Sequence, residues 1–380
     1  MNISRLKALL GATALTIVAA GAAQAGGFSR GTADTDILFE QGNFNLRTSV
    51  VVVKPNREFT VNPYPDGTGY NFADTYVVPS AAVKFKFFDQ LSCAGTVSQP
   101  YGGGVTYRAP GNGTLAKLEE DFTVTEYGAT CAFKYDLGKG SLSFLGGLFV
   151  ENVDYTLLGG SGTVSVKLKD NDIGWRAGLA YEIPEIALRA QLMYRSGTDV
   201  AAEGTTNGVP VAQGFAELPQ SVELKVQSGI APGWLAYGSV KWTDWSVNER
   251  LLLVLNKFNP APTTRVNTYN WQDGWTVTGG IGHAFTDAIS GTVFATWDRG
   301  VGTGWDLQSD TYTVGAGVSM KDKIGGELRA GVGLSYLTAV EETQYNDAFV
   351  PNSPDPRNGF NRAVGNDWSV AVSAGYSVKW

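Results

Sequence analysis

The chain has a single histidine, His283, and only two cysteines, Cys93 and Cys131, in 380 residues. One imidazole excludes a histidine-rich metal site. Charge is also scarce: 17% of residues are ionic, with a net charge of −7. No basic run is present to track a phosphate backbone, which argues against nucleic acid as a partner. Low charge beside 12% aromatic residues argues against disorder. Gly-x-Gly runs such as Gly315-Ala316-Gly317 precede no helix, so no dinucleotide site is supported. Past residue 25, no apolar run approaches the ~18 residues of a transmembrane helix. No cofactor is expected.

The first 25 residues read as a leader. Arg5 and Lys7 form a positive start, Ala8 to Ala20 is apolar, and Ala23-Gln24-Ala25 supplies a cleavage site. Removing them takes away two positive charges, leaving an exported, acidic chain of about −9. An exported chain without apolar helices is either a soluble secreted protein or a membrane β-barrel, whose strands alternate over about ten residues.

The C-terminus separates these two. Trp368, Val370, Val372, Ala374, Tyr376, Val378 and Trp380 share one parity; Ser369, Ala371, Ser373, Gly375, Ser377 and Lys379 share the other. One face is apolar with aromatic ends and the other is small or polar, as on a strand spanning lipid between two aromatic girdles. The period of two recurs along Leu328–Tyr336, Tyr312–Val318, Val222–Val226 and Ile186–Tyr194. Counting such segments predicts an all-β, transmembrane antiparallel β-barrel of about fourteen strands, with twelve or sixteen still open. Tight turns (Asp89-Gln90, Ile183 to Glu185, Ala231-Pro232) alternate with longer loops at 109–119, 197–217, 248–270 and 343–365. Short turns on one side and long loops on the other put the short ones, and both termini, in the periplasm. The expected organisation is a signal peptide over 1–25, a hatch over 26–43 and a barrel over 44–380, in the outer membrane of a Gram-negative-type cell.

Two features depart from a plain porin. Leu142, Phe144 and Leu148 oppose Leu145 and Phe149, so part of the interior is apolar. Residues 26–43 carry Phe28, Ile37, Leu38 and Phe39, suited to plugging the lumen and lining a ligand pocket. The third strand holds Pro100, Gly102, Gly103 and Gly104 where ladder bonding should continue. Proline cannot donate, and the glycines permit a bulge with positive φ. That stretch is either a strand end or a defect opening the wall sideways.

Enzyme chemistry finds no support. A hydrolytic triad would need His283, which shares parity with Trp275, Val277, Ile281 and Phe285 and reads as an interfacial residue. Glu119-Glu120 and Glu341-Glu342 read as solvated loop carboxylates. Cys93 and Cys131 fall on adjacent strands in an oxidising compartment, as a disulfide or as two lipid-facing thiols. Leu251 to Leu255 belongs to an outer loop or extends a strand.

The motifs Ala177-Gly178-Leu179-Ala180-Tyr181-Glu182, Tyr194-Arg195-Ser196, Leu218-Pro219-Gln220-Ser221, Trp242-Thr243-Asp244-Trp245-Ser246 and Tyr376 to Trp380 occur in order along the chain. In them the sequence resembles the FadL-type outer-membrane transporters of long-chain fatty acids and related hydrocarbons. The resemblance implies a monomeric fourteen-stranded barrel, a hatch and a kinked third strand that opens the wall. It departs at the hatch, where Ile37-Leu38-Phe39 runs into Glu40-Gln41-Gly42 in place of Asn-Pro-Ala-Gly. The expected function is passive transport of a long-chain fatty acid or similar hydrophobic molecule, released sideways into outer-membrane lipid. A long acyl chain gains roughly 0.8 kcal/mol per buried CH₂, and its carboxylate needs a cation. Arg176, Arg189, Lys225 and Arg329 have lumenal parity and are the candidates, with Phe149 on the pocket wall. The alternatives are an aromatic-hydrocarbon channel of the same family, or a structural or adhesive barrel.

Overall fold

A computed structural model describes residues 26–62, 67–111, 117–323, 325–344 and 362–380. The leader over 1–25 and most of the loop 343–365 lie outside the described residues. The alternation seen in sequence becomes an inside-out protein. Along the last strand Trp368, Val370 and Val372 are about half exposed, at 52%, 49% and 49%, while Ser369, Ser373 and Ser377 are buried. Apolar side chains facing outward in rows are stable only where the solvent is lipid.

Fourteen antiparallel strands close the barrel. They are β1 (Phe44–Pro55), β2 (Tyr76–Phe88), β3 (Leu91–Gly111), β4 (Lys117–Asp136), β5 (Ser141–Gly159) and β6 (Val164–Ile183). Four strands each come in two segments: β7 (Leu188–Arg195 and Thr198–Thr206), β8 (Val209–Leu218 and Ser221–Ala231), β9 (Trp234–Thr243 and Arg250–Val254) and β10 (Thr264–Thr268 and Gly274–Ala284). The wall ends with β11 (Ile289–Asp298), β12 (Thr311–Lys321), β13 (Gly326–Leu337) and β14 (Asp367–Lys379). Closure comes from β1, which pairs with β14 from Asn45↔Lys379 to Pro55↔Ser369 and with β2 from Phe44↔Phe85 to Val53↔Tyr76. Closure leaves neither the first nor the last strand as a free edge.

Much of the stretches 197–217 and 248–270, expected as loops, is strand. These segments rise beyond the membrane because their inner faces bury a core of Leu168, Ala202, Ala212, Leu253 and Leu255. Arg250–Val254 therefore extends the ninth strand, pairing with Phe215 and with Thr264–Thr268. Three short strands, Phe59–Val61, Val340–Glu341 and Ala363–Val364, form a small separate sheet.

Aromatic belts mark the two membrane boundaries. Trp175 touches Tyr194, and Tyr336 touches Trp368, on the outer side; Phe44 touches Phe85 and Trp380 on the periplasmic side. His283 belongs to that inner belt, 4.2 Å from the Trp234 ring centroid, with Nδ1 at 3.0 Å from the Gly233 carbonyl. Cys93 and Cys131 lie directly opposite each other on β3 and β4 and are joined by a disulfide. They share parity with the exposed Val97 and Phe133, so the bond lies on the membrane-facing side.

Candidate functional site

The third strand is broken where its composition says it should be. Pairing between β2 and β3 stops at Ala81↔Val97, and the β3–β4 register shifts between Ser98 and Tyr101. Into the opening between β2 and β3 comes the N-terminal arm. Ser29 bridges Tyr101, the Arg30 N–H donates to the Pro100 carbonyl at 2.8 Å, and the Gly102 N–H donates to the Phe28 carbonyl at 2.9 Å. The arm thus supplies partners that the neighbouring strand withholds, as a buried backbone requires. It is tightly wedged. A Cβ on Gly31 would lie 3.0 Å from the Gln99 carbonyl oxygen and 3.1 Å from Val78 Cγ1. Pro100, Gly102, Gly103 and Gly104 all sit at this break, but none of the three glycines takes positive φ. Their value is close approach: a Cβ on Gly102 would stand 2.6 Å from the Arg30 guanidinium carbon, and one on Gly103 3.0 Å from the Phe122 ring.

Beside the arm lies a cavity of about 480 Å³, lined by Phe28, Arg30, Tyr76, Phe122, Trp245 and Tyr269 among others. That volume suits a small-molecule site. Phe28 is its hub, with ring centroids at 4.7 Å from Phe122, 4.8 Å from Trp271, 5.8 Å from Tyr269 and 6.1 Å from Trp245. Among the described residues, four basic side chains line the cavity. Lys117 pairs with Glu120 at 2.6 Å, Arg362 with Glu342, and Arg57 donates to carbonyls and Ser309 with Asp367 at 3.7 Å. Arg30 alone of the four has no acidic group within ion-pair distance among the described residues. It is 5% exposed and lies 4.2 Å over the Tyr76 ring. Burial pushes its guanidinium below the usual arginine value, with only partial compensation from Tyr76 and Asp121.

The other expected site residues are elsewhere. Ile37, Leu38 and Phe39 lie in a short 3₁₀ helix, Thr35–Phe39, inside the barrel. Ile37 and Leu38 pack on Ala82, Ala94, Ala132, Leu145 and Ala180, and Phe39 under Arg189 at 4.8 Å. They fill the lumen and do not line the cavity; of the four hatch residues only Phe28 does. The helix is held at that depth by Arg47, which pairs with Asp34 at 2.5 Å and with Glu40.

The expected carboxylate-binding cations are already engaged. Arg176 pairs with Glu126, Arg329 with Glu327 at 3.2 Å, Arg189 with Asp36 at 3.3 Å, and Lys225 with Asp36 at 3.3 Å and Glu223 at 3.6 Å. Burial alone would raise the Asp36 carboxyl, but Lys225, Arg189 and Arg47 outweigh it and hold it well below the usual range. Phe149, 1% exposed, lies beneath a buried quartet of Arg176, Arg195, Glu126 and Glu151, with guanidinium carbons 4.9 and 4.3 Å from its ring centroid. Two positive and two negative charges cancel there, as buried ions require. Sequence reading passed over Arg30, although it is the only basic residue in the segment 26–43. That was the available signal.

A closed, lipid-facing barrel with a plugged lumen and an apolar cavity at its outer end is an outer-membrane channel for hydrophobic molecules. The model of the family described as outer membrane protein transport protein (OMPP1/FadL/TodX) matches residues 32–290, and the chain belongs to that family. It is a family of transporters and channels. The fold is similar to a FadL homologue of Pseudomonas aeruginosa at 13% identity, TM-score 0.72, over 90% of this chain and 92% of that one. The toluene transporter TodX of Pseudomonas putida follows at 10% identity and TM-score 0.63, over 94% and 96%. The monoaromatic hydrocarbon channel CymD gives 12% identity and TM-score 0.61, over 91% and 90%. No curated protein matches by sequence.

Proposed function

We propose that the chain carries long-chain fatty acids or closely similar amphiphiles passively across the outer membrane and releases them sideways between β2 and β3. Arg30 carries this reading. A buried cation with no carboxylate within ion-pair distance among the described residues, at the edge of an aromatic cavity, matches a molecule with one anionic end and an apolar body. Its guanidinium also covers Gly102 at the wall break, so headgroup and exit lie together. The ring cluster around Phe28 favours a second reading, an aromatic hydrocarbon held by edge-to-face contacts.

Binding of a fatty acid, its alcohol and a monoaromatic hydrocarbon to the purified barrel separates these readings. Preference for the acid over the alcohol supports the first; equal binding of acid and alcohol, with tighter hydrocarbon binding, supports the second. Sideways release is tested by Pro100→Thr with Gly102→Val and Gly103→Val, which would fill the break. Affinity should fall to some extent, since the Gly102 side chain also presses on Arg30, and uptake should fall further. Equal loss of both would place release elsewhere.

A further inference from the structure

The wall has a second interruption, on β6 and β7. Their pairing runs from Ile183↔Leu188 up to Arg176↔Arg195, stops, and resumes only at Lys169↔Glu203. In between, the backbone of Ser196 still donates to the Trp175 carbonyl at 2.9 Å. Beyond that point two side chains take over from the strand ladder. Asp170 accepts from the Asn171 N–H at 2.8 Å through Oδ1 and from the Ala201 N–H, across the seam, at 2.6 Å through Oδ2. Asp172 does the same for Ile173 at 2.7 Å and, across the seam, for Asp199 at 2.8 Å. The far edge of β7 stays in the sheet, from Leu218↔Thr198 to Gln213↔Glu203. Of the two edges of β7, the one facing β6 is the one held by side chains.

Its position gives it a use. The seam lies just extracellular of Trp175 in the outer aromatic belt. On its outer side Ile173 is 68% exposed and Ala201 is also exposed. On its inner side Leu168, Val200 and Ala202 line the 480 Å³ cavity. One layer of wall separates the membrane surface from the ligand space, and its cross-strand bonds are side-chain bonds. Opening a paired strand there would expose a run of backbone donors and acceptors. Opening this seam needs only rotation of two aspartates, each of which can keep its local N–H partner while it releases the distant one. The freed Asp199 and Ala201 donors would face the hydrated headgroup layer, where water satisfies them.

We propose that the β6–β7 seam is a lateral loading port. Through it an apolar ligand passes from the outer membrane surface into the cavity, and Asp170 and Asp172 are its latches. This rests on the reading of the cavity as a hydrophobic-ligand site. It adds a route in, separate from the break between β2 and β3 on the other side of β4 and β5.

The test uses the full barrel in vesicles and a bromo-substituted stearic acid added to the membrane, with tryptophan quenching followed in time and the component due to Trp245 isolated as the difference from Trp245→Phe, because the belt tryptophans are quenched directly from the lipid. Asp170→Ala with Asp172→Ala should raise the loading rate about tenfold at an unchanged final level, within the range over which such mutations move association rates. The pair Ile173→Cys and Asp199→Cys, both exposed on the outer face, closed by a short bifunctional thiol reagent and isolated as the linked species, should slow loading by about the same factor. The native cysteines are bonded to each other and do not compete. Wild-type rates in both variants overturn the port. Absence of a Trp245 component in the wild-type barrel would overturn instead the reading of the cavity, so the two failures are distinct.

Discussion

Replacing Arg30 with methionine removes the charge while keeping most of the side-chain volume. The fold should tolerate it. No acidic partner within ion-pair distance is left behind among the described residues, and the stabilisation forfeited is that of a cation over the Tyr76 ring, about 0.5–2 kcal/mol. Binding of a carboxylate should suffer much more. A hydrogen bond to a charged group contributes about 1.5–3 kcal/mol, and with about 1.4 kcal/mol per decade the affinity for a fatty acid should fall about ten- to 150-fold. The corresponding alcohol, which has the same chain and no charge, should lose little. The assay is titration calorimetry of acid and alcohol against both proteins, closing a cycle in which the headgroup term stands alone. If the variant binds the acid as tightly as the wild type does, Arg30 is not the headgroup partner and the case for an anionic ligand collapses.

Two other outcomes follow from buried charge. Asp306, in the loop between β11 and β12, receives the Trp271 Nε1–H at 2.5 Å, yet burial pushes its carboxyl up to about 7. With the folded value above the unfolded one, the folded loop holds an extra proton between roughly pH 4 and 7. Its stability is therefore full at acid pH and is lost as pH rises through about 7. Amide exchange across 299–310, corrected for intrinsic rates, should be slower at low pH, and Asp306→Asn should flatten that difference. Glu126→Gln should lower the denaturant midpoint of the barrel, at a cost of about 3–5 kcal/mol, because Arg176 then has no carboxylate within ion-pair distance among the described residues and Arg195 keeps only Glu151. An unchanged midpoint would mean that water reaches the quartet.

The parts of this molecule that could be read in advance are those that the membrane constrains. Trp368 to Trp380 alternates because lipid and lumen demand opposite chemistry at successive residues, and that demand leaves a mark in any single strand. Above the membrane the demand ends. There β7 is interrupted at Ser196-Gly197, β8 at Pro219-Gln220 and β9 by a 3₁₀ turn at Trp245–Val247, so each strand reads as strand plus loop. The wall break was legible because proline and clustered glycine have few other uses in a strand, although close packing of the arm, not a left-handed turn, is what those glycines serve. The pairing of the expected cations was hidden for a geometric reason. Lumenal parity identifies Arg176, Arg189 and Lys225 as inward-facing, but Glu126 reaches Arg176 from another strand and Asp36 reaches Arg189 and Lys225 from the hatch, 189 residues away for Lys225. Nothing local announces such a pair.

The disulfide on the membrane face of the β3–β4 hairpin has a consequence for assembly. Cys93 and Cys131 face each other in the native register, and successive residues alternate between lipid and lumen. Sliding one strand by a single residue would turn one sulfur to each side of the wall, where they could not bond. Periplasmic oxidation can therefore close this bond only on a hairpin already aligned, and a chain aligned wrongly keeps two free thiols. The cross-link acts as a chemical checkpoint on the alignment of the one strand whose composition most invites slippage. Once closed, it fixes where the defect begins: everything periplasmic of Val97 stays zipped, and the bend is confined to the outer half of the wall.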